Sequence, residues 1–170
     1  TGHTSVDWRL IGRGMRGGQR GCDTRGMSSS GFPLTTPRLS LRPLQIEDFD
    51  AWAAMMADAE VAEFIGGVQP RSVAWRGFMS VAGAWHLSGV ALFYVLAHAT
   101  GRWIGRVGPW RPEGWPGPEI GWGICRDGWG RGYATEAAIA ATDWAFEQLG
   151  WREVIHTISA DNARSQAVAR

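Results

Sequence analysis

The segment from Arg126 to Gly150, RDGWGRGYATEAAIAATDWAFEQLG, constrains this chain more than any other stretch. Gly128, Gly130 and Gly132 allow backbone angles that side-chain-bearing residues avoid, and let the main chain come close to a ligand. Behind them Ala138, Ala141, Ala145 and Leu149 recur at three- and four-residue spacing, Ile139 and Phe146 widen the face, and Gly150 is a stop signal. A helix is therefore predicted from Thr135 to Leu149, entered through a turn whose unpaired N–H groups and positive dipole end favour an anion.

A glycine-rich turn before a helix also serves simply as a compact strand-to-helix connection, so the anion needs further definition. The Walker pattern is excluded, because none of the basic residues in this chain is lysine. A dinucleotide-binding GxGxxG fails on spacing, and no βαβ unit with a following acidic residue surrounds the turn.

The rest of the chain supplies alternating strand and helix patterns. LSLRPL at 39–44 alternates as a strand, and EDFDAWAAMMAD begins a helix with acids in its first turn. A second helix is predicted over 72–87, with Val73, Trp75, Phe78, Val81 and Trp85 inside. ALFYVLAHA (91–99) and WIGRVGPW (103–110) read as strands joined by a short turn, RPEGWPGP as a loop, and EIGWGIC as the strand leading into the glycine turn. WREVIHTISA is a fifth strand, and residues 162–170 begin a last helix. The order βααβββαβα, with hairpins in its middle, predicts a mixed α/β fold: a mostly antiparallel sheet flanked by helices.

PEIGWGICRDGWGRGYATEA resembles the core motif of the GNAT superfamily of N-acetyltransferases, whose pattern Gln/Arg-x-x-Gly-x-Gly/Ala falls on Trp129 to Ala134. Only its first position departs, with Trp129 in place of Gln or Arg. TPRLSLRPLQIEDFDAW resembles the first strand and helix of the family, WIGRVGPW its third strand, and SADNARSQAVAR the start of its last helix. The likeness covers residues 36–170, and GYATEA with Asn162-x-x-Ser165 is most similar to the branch containing ribosomal-protein alanine acetyltransferases.

The resemblance implies acetyl transfer from acetyl-CoA to a primary amine, either a protein N-terminus or a small molecule, by direct attack in a ternary complex. Backbone N–H groups from Gly130 through Arg131, Gly132, Tyr133 and Ala134 to Thr135 would hold the pyrophosphate of coenzyme A, and Arg131 would add charge at the rim. Trp122, Gly123 and Ile124 would pair with the pantetheine arm, with a backbone N–H near Ile124 as oxyanion donor. Asn162 matches a position that contacts the arm, with Ser165 one turn further on, although Asp161 or Asn162 would equally serve as a helix cap. Glu119 is the first candidate for general base. His156 reads more readily as a packed histidine, Asp127 as a residue shaping the turn and Cys125 as a small buried thiol. Many relatives carry a tyrosine that protonates the leaving thiolate, and here that position is Ala169. Trp110, Trp115 and Trp129 would flank the acceptor as a substrate wall or a core cover. Relatives continue through the last helix into two more strands, so a chain ending at Arg170 is expected to be an incomplete domain with little turnover of its own. An acyl-CoA-binding, catalytically silent domain is the alternative.

Composition narrows the partners. Residues 1–31 are rich in Gly, Arg and Ser and are expected to be a disordered tail or upstream extension, with residues 32–170 forming the acetyltransferase domain. Within 1–26, five arginines stand against two aspartates, which leaves 12 arginines against 14 acids in the remainder. That slightly acidic body argues against a nucleic-acid partner. Cys22 and Cys125 suggest neither a disulfide framework nor a metal site, no run approaches membrane-spanning length, and no secretory signal is expected from the arginine-bearing start, which lacks an apolar stretch after it. A cytoplasmic, metal-free enzyme is expected, with acetyl-CoA and an amine as partners and a homodimer compatible with the fold. Arginine without lysine suggests a GC-rich coding sequence and hence a bacterial origin.

Overall fold

The computed structural model describes residues 5–7 and 32–170. Its elements are β1 (Ser5–Asp7), β2 (Leu34–Thr35), β3 (Leu39–Arg42), α1 (Phe49–Ala57), α2 (Ala59–Ala62), α3 (Arg71–Ser88), β4 (Phe93–Ala97), β5 (Trp103–Trp110), β6 (Glu119–Ile124), α4 (Tyr133–Gln148), β7 (Thr157–Ser159) and α5 (Ala163–Val168). Strands β2 to β6 form a five-stranded sheet in the order β2-β3-β4-β5-β6, with every neighbour antiparallel. The expected α/β architecture of a mostly antiparallel sheet flanked by helices is thus observed.

Two apolar clusters cover the two faces of the sheet. On one, Ala137, Ala138, Ala141, Trp144 and Ala145 of α4 pack on Leu39, Leu41, Phe93, Val95, Val107 and Ile120. Small residues on α4 let the helix lie close to the strands, and Trp144 fills the remaining gap edge-on to Phe93 at 5.1 Å. On the other face, α1 and α3 bury Trp52, Met55, Met56, Ala74, Phe78 and Val81. Val73 and Trp75, expected inside α3, are each 39% exposed. The inward stripe runs through Ala74, Phe78 and Val81, so Trp75 meets the core from its rim, edge-to-face with Phe49 at 4.7 Å and stacked on Phe78 at 6.2 Å.

The predicted fifth strand over 151–160 shortens to β7 plus a bridge. Ile155 pairs parallel with Glu119, Ile120 N donates to Ile155 O at 3.2 Å and Ile155 N to Pro118 O at 2.8 Å. Beyond that point β7 leaves β6. Its outer edge pairs antiparallel with β1, Ser5 opposite Ser159 and Asp7 opposite Thr157. Three residues of the stretch 1–31, expected to lack structure, are therefore a strand; the remainder of that stretch, Cys22 included, lies outside the described residues.

Candidate active site

The divergence of β7 from β6 opens a cleft of 390 Å³, closed on its far side by α5 and at one end by the entry to α4. Of the residues predicted to hold a cofactor, Trp122, Gly123, Ile124, Gly130, Gly132, Tyr133, Ala134, Thr135, Asn162 and Ser165 all line this one space. Arg131 does not line it. Its carbonyl accepts from Arg38 Nη1 at 2.8 Å, and it borders a separate crevice alongside α1.

The helix entry is built for an anion. Gly132 occupies the N-cap position at φ 73°, and no side chain there accepts from the first turn. Gly130 adopts φ 70°, so two closely spaced left-handed residues aim successive N–H groups outward. Glu136, the acid of the first turn, is drawn to the side: it accepts from Thr36 Oγ1 at 2.6 Å and from Arg38 Nε at 2.5 Å. Burial pushes its pKa up, but those bonds outweigh it and hold the carboxyl below its ordinary range. The N–H groups of Tyr133, Ala134 and Thr135 are thereby left to a ligand.

Trp122 Nε1 donates to Ser165 Oγ at 3.2 Å, which ties β6 to α5 across the cleft. Asn162 Oδ1 accepts from Ser165 N at 3.0 Å, so the capping role holds and the same residue also lines the space. Trp129, at the position that departs from the family pattern, donates Nε1 to Ile124 O at 2.7 Å. Arg164 stacks on its ring at 4.1 Å. Arg164, Phe64 and the acids Glu60 and Glu63 line the cleft without having been singled out in the sequence. Arg164 lay inside the quoted Asn162-x-x-Ser165 pattern, whereas the α2 segment carried no signal.

Glu119, the candidate base, is not among the residues lining this cleft: it stands at the junction where β6 and β7 part, 7% exposed. Oε2 accepts from Trp115 Nε1 at 2.6 Å and Oε1 from Thr157 N at 3.0 Å. Its carboxylate thus stands where a strand carbonyl would, and carries the pairing one residue past the point where β6 and β7 part. Burial raises its pKa above the ordinary carboxylate range, although the bonds from Thr157 and Trp115 oppose the shift.

His156 is buried against the carbonyl of Ile120, with Nδ1 2.8 Å from that oxygen, and packs on Trp122 at 4.8 Å between ring centroids. Burial lowers its pKa and keeps it neutral, as a packed histidine. Burial also pushes the Cys125 thiol up to about 12, which leaves almost no thiolate to act as a nucleophile. Asp127 is exposed on the turn before Trp129. Trp110 packs into the α1–α3 cluster, and Trp115 bonds Glu119 while remaining 40% exposed. Among the described residues no group of three or more His, Cys, Asp or Glu is placed to hold a metal, and no helix is long and apolar enough to cross a membrane.

A glycine-capped helix entry beside two parting strands, on an antiparallel sheet of this order, defines an acyl-transferase scaffold. The chain belongs to the GNAT acetyltransferases: the family model described as acetyltransferase (GNAT) domain matches residues 38–170. It is similar to an acetyltransferase from Agrobacterium tumefaciens, with 32% identity and a TM-score of 0.73 over 91% of this chain and 85% of that one. An uncharacterised N-acetyltransferase p20 of Bacillus licheniformis is 28% identical over 135 residues, 78% of this chain and 76% of its own length. The fold is shared with Mycobacterium smegmatis RimJ, solved in complex with CoA-disulfide: 22% identity, TM-score 0.58, over 76% of this chain and 66% of that one.

Proposed function

We propose that this protein transfers an acetyl group from acetyl-CoA to a primary amine by direct attack in a ternary complex. The observation that carries this reading is the gathering of ten of the predicted cofactor residues around one cleft whose end is a helix entry without a capping side chain. The N–H groups of Tyr133 to Thr135 would take the pyrophosphate, while Trp122 to Ile124 would run beside the pantetheine arm. Amine nitrogen attacks the thioester carbonyl carbon, charge develops on the carbonyl oxygen near Ile124 N–H, the C–S bond breaks, and the thiolate leaves. Glu119, raised in pKa and standing where β6 and β7 part, outside the cleft lining, would receive the ammonium proton through ordered water.

A second reading, a CoA-binding domain without turnover, is favoured by two observations. Ala169 stands where many relatives place a tyrosine, and is buried at 8% exposure. The Ile124 carbonyl is already occupied by Trp129. Calorimetric titration with acetyl-CoA, followed by thiol release against a panel of amino acids, polyamines, aminoglycosides and short peptides, separates the two. Binding with amine-dependent release supports transfer; binding with no release from any amine supports the silent domain; no binding removes both.

A further inference from the structure

One arginine of the sheet has an answering carboxylate and another does not. Arg42, Tyr94, Arg106 and Gly123 stand opposite one another in register across β3, β4, β5 and β6, and so share one face. Arg42 lies over the Tyr94 ring at 4.6 Å and is met by Asp48, with bonds of 2.7 and 2.8 Å. Arg106 lies over the Trp52 ring at 4.5 Å. Among the described residues no carboxylate reaches it, and its side chain donates no hydrogen bond to any of them.

Desolvation alone lowers the pKa of Arg106 to about 10, with no acid close enough to oppose it. The residue nevertheless keeps partial exposure, so it is not sealed inside the core. The indole N–H of Trp52, the ring beneath it, is likewise buried without an acceptor. The buried indole N–H is costly to leave unanswered, and beside a cation that no protein carboxylate meets it favours an arriving anionic acceptor.

The cleft borders that spot through Gly123 and Ile65. A Cβ on Gly123 would lie 3.6 Å from Arg106 Nε, 3.1 Å from Met55 Cε and 3.5 Å from Ile65 Cδ1, so only the glycine leaves the guanidinium reachable past the cofactor strand. Gly123 and Ile65 both line the cleft. A planar fork of donors in a narrow space matches a carboxylate bidentately. Gly123 adjoins Ile124, about 3.8 Å away along the chain. On the transferase reading, a carboxylate held there and an amine attacking beside Ile124 would be close enough to belong to one small molecule.

Resting on the transferase reading above, we infer that Arg106, with Trp52 Nε1–H, binds the carboxylate of a small amino-acid-like acceptor and selects it over amines that lack one. Titration of the protein, loaded with CoA, with N-acetyl amino acids or with the corresponding N-acetyl amino amides tests this by the Trp52 indole ¹H–¹⁵N signal, identified by its loss in Trp52→Phe. The acids are expected to move that signal and the amides to leave it in place. Arg106→Gln should abolish the movement, and Arg106→Lys should retain a weaker one. Equal responses to acid and amide, or no response to either, overturn the inference whether or not the protein turns over. Where turnover is measurable, KM for free amino acids should lie at least about tenfold below that for their amides or for peptides, a gap of about 1.4 kcal/mol. Arg106→Gln should close this gap with kcat little changed. Preference for peptides or amides overturns the inference while leaving amine acetylation intact. A carboxylate-dependent indole shift without thiol release from any amine supports the carboxylate site and counts against the transferase reading alone.

Discussion

Glu119 links β6 to β7 and, in the proposed reaction, would also serve as the base, two duties that pull in opposite directions. Its carboxylate accepts from Thr157 N and Trp115 Nε1, yet burial holds its pKa above the ordinary range. As a base it ionises when pH climbs through that raised value, so kcat/KM should rise across a limb lying above the ordinary glutamate pKa of about 4.3. Glu119→Gln should lose this limb, with kcat/KM lowered by about 10² to 10⁴-fold. The stability effect has the reverse sign. The native state holds the proton more tightly than the unfolded chain, so stability falls as pH rises from the ordinary carboxylate pKa through the raised one. Glu119→Gln has no proton to release and should lack that slope, which urea melts from pH 4 to pH 8 would register as a flatter profile than wild type. Trp129 poses a similar conflict on a smaller scale. Its indole satisfies the Ile124 carbonyl in the free protein, the same carbonyl that a pantetheine amide would meet. Trp129→Phe should lower the stability of the free protein by about 1 kcal/mol and tighten CoA binding severalfold in calorimetry. Weaker binding would mean that the indole contacts the cofactor directly.

At the scale of elements, the turn into α4 was the most legible part of the sequence, because glycines and a helical apolar period within a short window report local backbone geometry. Its glycines do different work, however, and the sequence alone does not sort them. Gly132 needs its positive φ, and a Cβ there would meet nothing closer than Arg38 Nη2 at 3.5 Å. Gly132→Ala should therefore cost about 1–2 kcal/mol through strain in the backbone that aims the anion-binding N–H groups, and weaken CoA more than it weakens the fold. Gly128 does not adopt a positive φ, but a Cβ there would lie 2.7 Å from Ile124 Cγ2. Gly128→Ala should be a packing defect of about 1–3 kcal/mol, relieved in the double variant with Ile124→Ala but not with Ile124→Val, which keeps that methyl. Thermal melts with and without CoA distinguish the two kinds of loss. The position of Arg106 over Trp52 and the strut made by Glu119 were hidden for the complementary reason. Both depend on contacts between segments distant in the chain, Arg106 over Trp52 and Glu119 beside Ile155, and no local pattern encodes such pairing.

Over the whole molecule, the cleft exists because β7 does not stay with β6. It is joined to the five-stranded sheet by the Glu119–Ile155 bridge, the neighbouring backbone bonds and the Glu119 carboxylate, and on its other edge it pairs with β1 alone. Such a strand has little of its own to hold it, since most of its ladder lies on the side facing Ser5–Asp7. Amides of β7 should therefore exchange with solvent much faster than those of β4 and β5, whose partners flank them on both sides. Deleting residues 1–8 would strip the outer partner from Thr157–Ser159. Hydrogen exchange should then accelerate in β7 and in the adjoining α5, with β3, β4 and β5 unchanged, and light scattering should rise with protein concentration as exposed edges find one another. CoA would restrain the same region from within, through Trp122 on one wall of the cleft and Asn162 and Ser165 on the other. Adding it to the deletion variant should recover part of the lost protection in α5 while leaving the outer edge of β7 open. Exchange that quickens uniformly across the sheet would instead make β1 a support of the entire fold.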